Sequence, residues 1–305
     1  MRETLITALE SGDLRAVAAV PKSDLHNHAS NGGNVHSAGI SIPPRPETFA
    51  SVAEMEAWAH AHIKDYFPRM ARYAAAFSQA AGDGVTVLAM SFVSRRLEAF
   101  GTVTDFIGVI RELKARFAPD LAFLPELSFS SGTDIAYEAA RLDEILSHGF
   151  FTSVDISGEE DIAAFKGFTG LFCRAKAAGL RLKAHVGEYG TADDVLTVAE
   201  LLELDEVHHG IAAAKSPQIM AWLARHSIQL NICPTSNIVL GHVKSYDSHP
   251  IRALFDAGVP VTLNSDDMLI FDQSVSQEYM NLYRYGLMTA SELEHIRQTG
   301  LSQLR

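Results

Sequence analysis

Eight apolar, strand-like runs recur along this chain with helical segments between them, and that alternation narrows the fold more than any other feature. The runs cover 23–28, 85–92, 121–129, 151–157, 180–186, 206–209, 228–233 and 259–264. Several, such as VTVLAMSF and LAFLPELSF, are almost continuously apolar. A strand covered on both faces reads this way, as in a parallel sheet, whereas a half-exposed strand alternates. Between the runs, 104–117, 136–148, 162–178, 192–202 and 216–224 read as helices, with Gly179 and Gly258 available for left-handed caps. Eight such units predict an α/β fold, a closed (β/α)8 barrel of the TIM type. The competing open, doubly wound sheet usually carries a glycine-rich first turn, and neither GxGxxG nor a P-loop pattern occurs.

A single domain over 1–305 is expected, with an N-terminal helix within 1–20. The segment 29–46, rich in Gly, Ser, Asn and Pro, follows the first strand and predicts a flexible loop over the barrel mouth. Helical patterning over about 47–80 then supplies a covering lid. The chain stops soon after Leu304, so a final covering helix is expected to be lacking. Hydrophobic residues make up 47% of the 305, enough for a large core. No window reaches the roughly 18 apolar residues of a membrane span, and the polar N-terminus has no leader character. A net charge of −12 disfavours nucleic acid and anionic membranes as partners. Cys173 and Cys233 stand far apart with no CxxC, so both read as core thiols of a cytoplasmic protein.

Four polar clusters fall at the C-terminal ends of predicted strands, where barrel enzymes place their chemistry. They are DLHNH (24–28), HVGE (185–188), VHHG (207–210) and NSDD (264–267). His26 and His28 are two apart on a strand and share a face, the spacing that lets two imidazoles reach one metal. His185 offers a third nitrogen and Asp266 an oxygen. Asp266 and Asp267 are adjacent, so one carboxylate faces the metal and the other a bound substrate. Glu188, three residues past His185, is placed to move protons beside an activated water. His209 orients or deprotonates that water, while His208 alternates outward as a structural residue.

These motifs, in this order, resemble the adenosine deaminase family. DLHNHAS resembles its opening metal motif, HVGE its His-Ala-Gly-Glu, VHHG its Gly-His-Gly, ICPTSN its Cys-Pro-x-Ser-Asn, LNSDD its Asn-Thr-Asp-Asp, and SVDISG its Asp-Leu-Ala-Gly. The likeness runs from about Pro21 to Phe271. It implies one Zn2+ per chain on His26, His28, His185 and Asp266, with water as co-substrate. It further implies hydrolysis at C6 of an adenine-type purine, with adenosine or 2′-deoxyadenosine the first expectation. Adenine, an N6-substituted adenine or another modified aminopurine are the alternatives. Glu188 would protonate ring N1, His209 assist the nucleophile, Asp267 take N7 and the Gly158 backbone meet N3. A His/Cys/Cys deaminase site is excluded by the two isolated cysteines. A catalytically silent zinc-binding barrel would be expected to lack Glu188, His209 or Asp267, and all three are present.

The likeness breaks in one place. Where the family carries an Asp that contacts the ribose 5′-hydroxyl, this chain has Ser30, followed by about ten extra residues before Pro46-Glu47-Thr48. Ser30 can bond a hydroxyl but supplies no charge. His36 in the added loop reads as a solvated histidine; with Arg45 the one nearby candidate cation and no phosphate-binding cluster, a nucleotide is the less favoured substrate. Lys183 shares the inward face of His185 one layer deeper, which predicts an ion pair with Asp155 or Glu126.

Overall fold

Each of the eight apolar runs carries a strand, and each strand lies parallel to the next along the chain. The computed structural model describes residues 4–34 and 42–302, so His36 lies outside the described residues. The strands are β1 (Lys22–Asp24), β2 (Val85–Val93), β3 (Ala122–Ser130), β4 (Ser153–Ser157), β5 (Arg181–Val186), β6 (Glu206–His209), β7 (Gln229–Ile232) and β8 (Val261–Leu263). The seam between β8 and β1 closes differently. Leu25 N–H donates to the Asn264 side-chain oxygen at 2.7 Å, and Asp266 N–H donates to the His26 carbonyl at 2.9 Å. A side chain thus replaces one ladder acceptor, and an α/β barrel that is nearly closed results.

Helices start where small polar residues can satisfy their free N–H groups. Thr102 with Asp105, Thr191 with Asp194 and Thr289 with Glu292 form reciprocal capping boxes. The expected left-handed glycines are present, with φ +81° at Gly179 and +78° at Gly258. The expected helix over 162–178 is two, Ile162–Gly167 and Thr169–Ala177. They break at Phe168, whose buried ring packs on Phe129, so tertiary packing overrides a continuous helical pattern. The expected N-terminal helix is likewise two short ones, Leu5–Ser11 and Leu14–Ala19, divided by Gly12 at φ +70°. The last helix, Ala290–Leu301, packs across β8 and β1, so the outer layer at the seam is filled, against expectation. Cys233 is buried as predicted, but Cys173 is exposed on the outer side of its helix.

The lid consists of Val52–Ala59, a π turn at His60–Lys64 and the helix Arg69–Gly82. Phe49, Met55, Ile63 and Phe67 form a second apolar cluster with Val239, Leu240 and Leu269–Phe271 of the barrel mouth. Burying each such side chain contributes roughly 1.5–3 kcal/mol, which clamps the lid to the barrel. The start of the loop after β1 is not a solvent flap. Ala29, Ser30 and Asn31 are buried, and Gly33 lies so close to the lid helix that a Cβ there would meet the Ala75–Ala76 backbone at 2.4 Å. Among the described residues no helix is long and apolar enough to cross a membrane.

Candidate active site

The C-terminal ends of the strands surround a cavity of about 770 Å³, roofed by the lid and lined by His28, Ser30, Glu188, His209, Asp266 and Asp267 among others. On its floor, His185 Nε2 lies 3.0 Å from His26 Nε2, and His28 Nε2 lies 3.4 Å from the same atom. Asp266 Oδ1 is 3.2 Å from His28 Nε2 and 3.6 Å from His26 Nε2. Three imidazole nitrogens and one carboxylate oxygen therefore converge. Neutral rings cannot all aim lone pairs at one another, and a shared cation resolves the conflict, so this donor set fits a divalent metal.

Two of the rings are held from behind. His28 Nδ1 meets Ser91 Oγ at 3.0 Å, and His185 Nδ1 meets Asp155 Oδ1 at 3.0 Å. Partners of this kind fix ring orientation and leave the other nitrogen free. Asp155 is thus committed to His185 and not to Lys183. The Lys183 ammonium sits 3.0 Å from Glu126 Oε2 and 3.2 Å from Glu206 Oε2. Burial opposes its charge, yet the two carboxylates hold it above the usual lysine range.

His208 corrects the expected parity of β6. It is fully buried inside the barrel, level with His185 in the strand register, and its Nε2 meets Glu126 Oε1 at 3.2 Å. His209 should then point outward, but its φ of +62° turns the backbone left-handed and swings the ring beside those of His26 and His185. Asp266 also has a positive φ, +56°. Such conformations cost energy in side-chain-bearing residues and cluster at functional positions.

The tautomer of His209 follows from a hydrogen-bond chain. Ile251 N–H donates to His249 Nδ1 at 3.1 Å, so His249 Nε2 carries a proton and donates to Asn237 Oδ1 at 3.3 Å. Asn237 must then donate its amide to His209 Nδ1, 3.2 Å away. His209 consequently presents Nε2–H, which lies 3.6 Å from Glu188 Oε2 and 3.8 Å from Asp266 Oδ2. Burial keeps His249 neutral by lowering it to about 3. His209 Nε2 is thereby a hydrogen-bond donor; taking a proton from water at that atom would need the opposite tautomer.

Glu188 rides on a turn fixed by Glu160, whose carboxylate accepts the N–H groups of Gly187, Glu188, Tyr189 and Gly190 at 2.6–3.1 Å. Burial, and then the neighbouring Asp266 and Glu160 charges, push the Glu188 carboxyl well above its usual range. Its Oε1 is buried with no partner in the protein. A proton-bearing carboxyl with one free oxygen suits a proton carrier. Asp267 Oδ1 accepts from Asn31 Nδ2 at 2.7 Å, leaving its second oxygen toward the cavity. Gly158 also lines the cavity, at φ +113°, and a Cβ there would meet Ser131 Oγ at 2.8 Å. Ser30 Oγ accepts from Arg96 Nη1 at 3.0 Å. Arg45 is turned to its own loop, bonding the Pro46 and Glu47 carbonyls.

All the site residues expected from sequence therefore border this cavity or its floor. Asn237, His249, Glu160, Asn31 and Arg96 were not singled out. Asn237 ends the ICPTSN motif and so carried a signal. The others sit in ordinary-looking loop sequence.

The family model for adenosine deaminase matches residues 100–303. This chain belongs to the adenosine deaminase family. It is a deaminase, a hydrolase acting on C–N bonds. A Treponema pallidum protein with a provisional adenosine/adenine deaminase name is 28% identical over 290 residues, spanning 90% of this chain and 95% of that one. The aminodeoxyfutalosine deaminase of Streptomyces coelicolor is 30% identical over 294 residues, covering 88% and 76%. Among solved structures, the adenine deaminase of Arthrobacter aurescens superposes with a TM-score of 0.77 at 19% identity, covering 92% and 93%. The likeness at that identity concerns the fold, and it agrees with the barrel.

Proposed function

We propose that this deaminase holds one zinc ion on His26, His28, His185 and Asp266 and hydrolyses the C6 amino group of an adenine-type nucleoside. Adenosine or 2′-deoxyadenosine is the simplest such substrate, giving inosine or 2′-deoxyinosine and ammonia. The observation that carries the reading is the convergence, in one cavity, of the four-ligand floor with the unpartnered Glu188 Oε1. When bound, the metal supplies Lewis acidity that brings the pKa of water toward about 7. Three imidazoles and a carboxylate are an ordinary donor set for zinc.

The chain's own residues do the rest. Glu188, proton-bearing through burial, gives its proton to ring N1 and so makes C6 electrophilic. His209 points Nε2–H across the floor toward Asp266 and Glu188, where it orients the water oxygen that adds to C6. Water adds at C6, its proton passing to Glu188; that proton then goes to the departing amino group, and as ammonia leaves the C6 hydroxyl proton returns to Glu188, which gives the 6-oxo product with N1 protonated. Asp267, held by Asn31, is set to hydrogen-bond N7, and the bare backbone of Gly158 lets the ring edge approach. The test is ammonia release from purified, zinc-loaded protein over a panel of 6-aminopurines. Glu188→Gln should keep full metal content and lose turnover by at least about 10²-fold. A zinc-loaded protein that releases no ammonia from any 6-aminopurine contradicts the proposal.

A further inference from the structure

N1, C6 and N7 share one side of a purine, so a ring seated against Glu188 and Asp267 directs its N9 substituent away from the floor. The cavity lining away from the floor cluster includes Arg96, from the turn Ser94–Phe100 that follows β2, beside Ser30. Arg96 spends one Nη1 on the neutral Ser30 hydroxyl. Among the described residues, no carboxylate forms an ion pair with it. Arg141, Arg174, Arg181, Arg252 and Arg297 all pair with acids. Glu56 also lines the cavity, but it is already paired with Lys64. Behind Ser30 a second guanidinium, Arg72, is buried and donates to the Ser30 carbonyl at 3.0 Å, with its Nε unpartnered. Acid groups thus line the floor, and among the described residues that line the cavity Arg96 is the one arginine, with Glu56 in electrostatic reach of it.

We propose that the substrate is a 6-aminopurine nucleoside whose sugar carries an anion, a phosphate or a carboxylate at the 5′ end, and that Arg96 is its counter-charge. A guanidinium presents a planar fork of donors that matches both anions. A cavity of about 770 Å³ lies in the upper part of the roughly 300–1,000 Å³ range of small-molecule sites, which leaves room for such a group. The inference rests on the deaminase reading and sharpens it.

Steady-state ammonia release is measured for zinc-loaded wild type, Arg96→Gln and Arg96→Lys on three substrates: adenosine, adenosine 5′-monophosphate and the 5′-carboxylate of adenosine. Wild type should favour at least one anionic substrate over adenosine in kcat/KM, and the arm that wins identifies the anion. Arg96→Gln should cut that preference by roughly 10- to 100-fold, mainly through KM, with Arg96→Lys intermediate. A wild-type preference for adenosine overturns the inference and leaves the deaminase reading intact. So does a preference that survives Arg96→Gln. No ammonia from any of the three or from adenine, and no methylamine from N6-methyladenine run beside them, removes both.

Discussion

The side-chain amide of Asn237 donates to Nδ1 of His209 at 3.2 Å, and this bond decides which nitrogen of the ring faces the reaction. Because the chain behind it starts at the Ile251 backbone N–H, it can run in one direction only. Asn237→Asp replaces the donor with an acceptor and should favour Nδ1–H, removing the Nε2 proton from the cavity. The expected result is a fall in kcat of roughly 10²-fold or more, since a wrong imidazole tautomer is costly to catalysis elsewhere. Metal content should be unchanged. Nitrogen NMR of the His209 ring reads the tautomer directly, and an unaltered tautomer with full activity would count against the assignment.

Glu160 collects four backbone N–H groups of the turn that carries Glu188. Hydrogen bonds to an ionised acceptor are about twice as strong as neutral ones. Glu160→Gln keeps the shape but removes the charge, and one oxygen becomes a donor facing N–H groups. Turnover should drop by about 10- to 100-fold, with bound metal retained and a stability loss of about 1–3 kcal/mol. Equal kinetics for variant and wild type would show the turn to be held without this carboxylate.

Lys183 bridges Glu126 and Glu206, two carboxylates that are themselves buried. Burial alone would raise both acids, yet Lys183 is the leading charge holding each below its usual range. Lys183→Met removes the cation the two acids share, leaving Glu126 with His208 and Glu206 with Arg181 and Asn231, a loss of about 3–5 kcal/mol. Denaturant unfolding should show that loss, while the metal bound per folded chain stays at the wild-type value. A variant that is stable but metal-free would instead make Lys183 part of the metal centre.

Glu278 is buried beneath the site, with Oε1 accepting from Thr235 N–H at 3.0 Å and Oε2 unpartnered. Burial raises its carboxyl from 4.5 to about 8. The folded chain therefore keeps a proton that the unfolded chain releases above pH 4.5. Stability is greatest below that value, falls as pH rises, and levels off above about 8. At about 1.4 kcal/mol per unit, the fall is at most about 5 kcal/mol. Glu278→Gln should flatten the dependence, raising the melting temperature relative to wild type at pH 8.5 and hardly at pH 5. Parallel melting curves for the two proteins across that range would dismiss the effect.

The barrel was legible because parallel strands buried on both faces must be apolar, and eight such runs left few alternatives. The His/Asp cluster of the floor was legible for a related reason. His26 and His28 share a face by strand geometry alone, and HVGE and NSDD stand at matching strand ends. Local pattern misled where the backbone departs from regular geometry. The parity of β6 failed because His209 is left-handed, which brings both His208 and His209 inward. The helix over 162–178 failed because the buried ring of Phe168 ends it.

Residue order alone thus determined the fold class, the order of strands and the donor set, since these depend on hydrophobic period and on residue types at strand ends. Only the tertiary structure decided how the donors are tuned. The tautomer of His209, the carboxylate behind each ring, the two partners of Lys183 and the position of Arg96 beside Ser30 all join residues far apart in the chain. Such contacts leave no periodic trace in sequence, because they arise from where loops and strand ends meet once the barrel has closed.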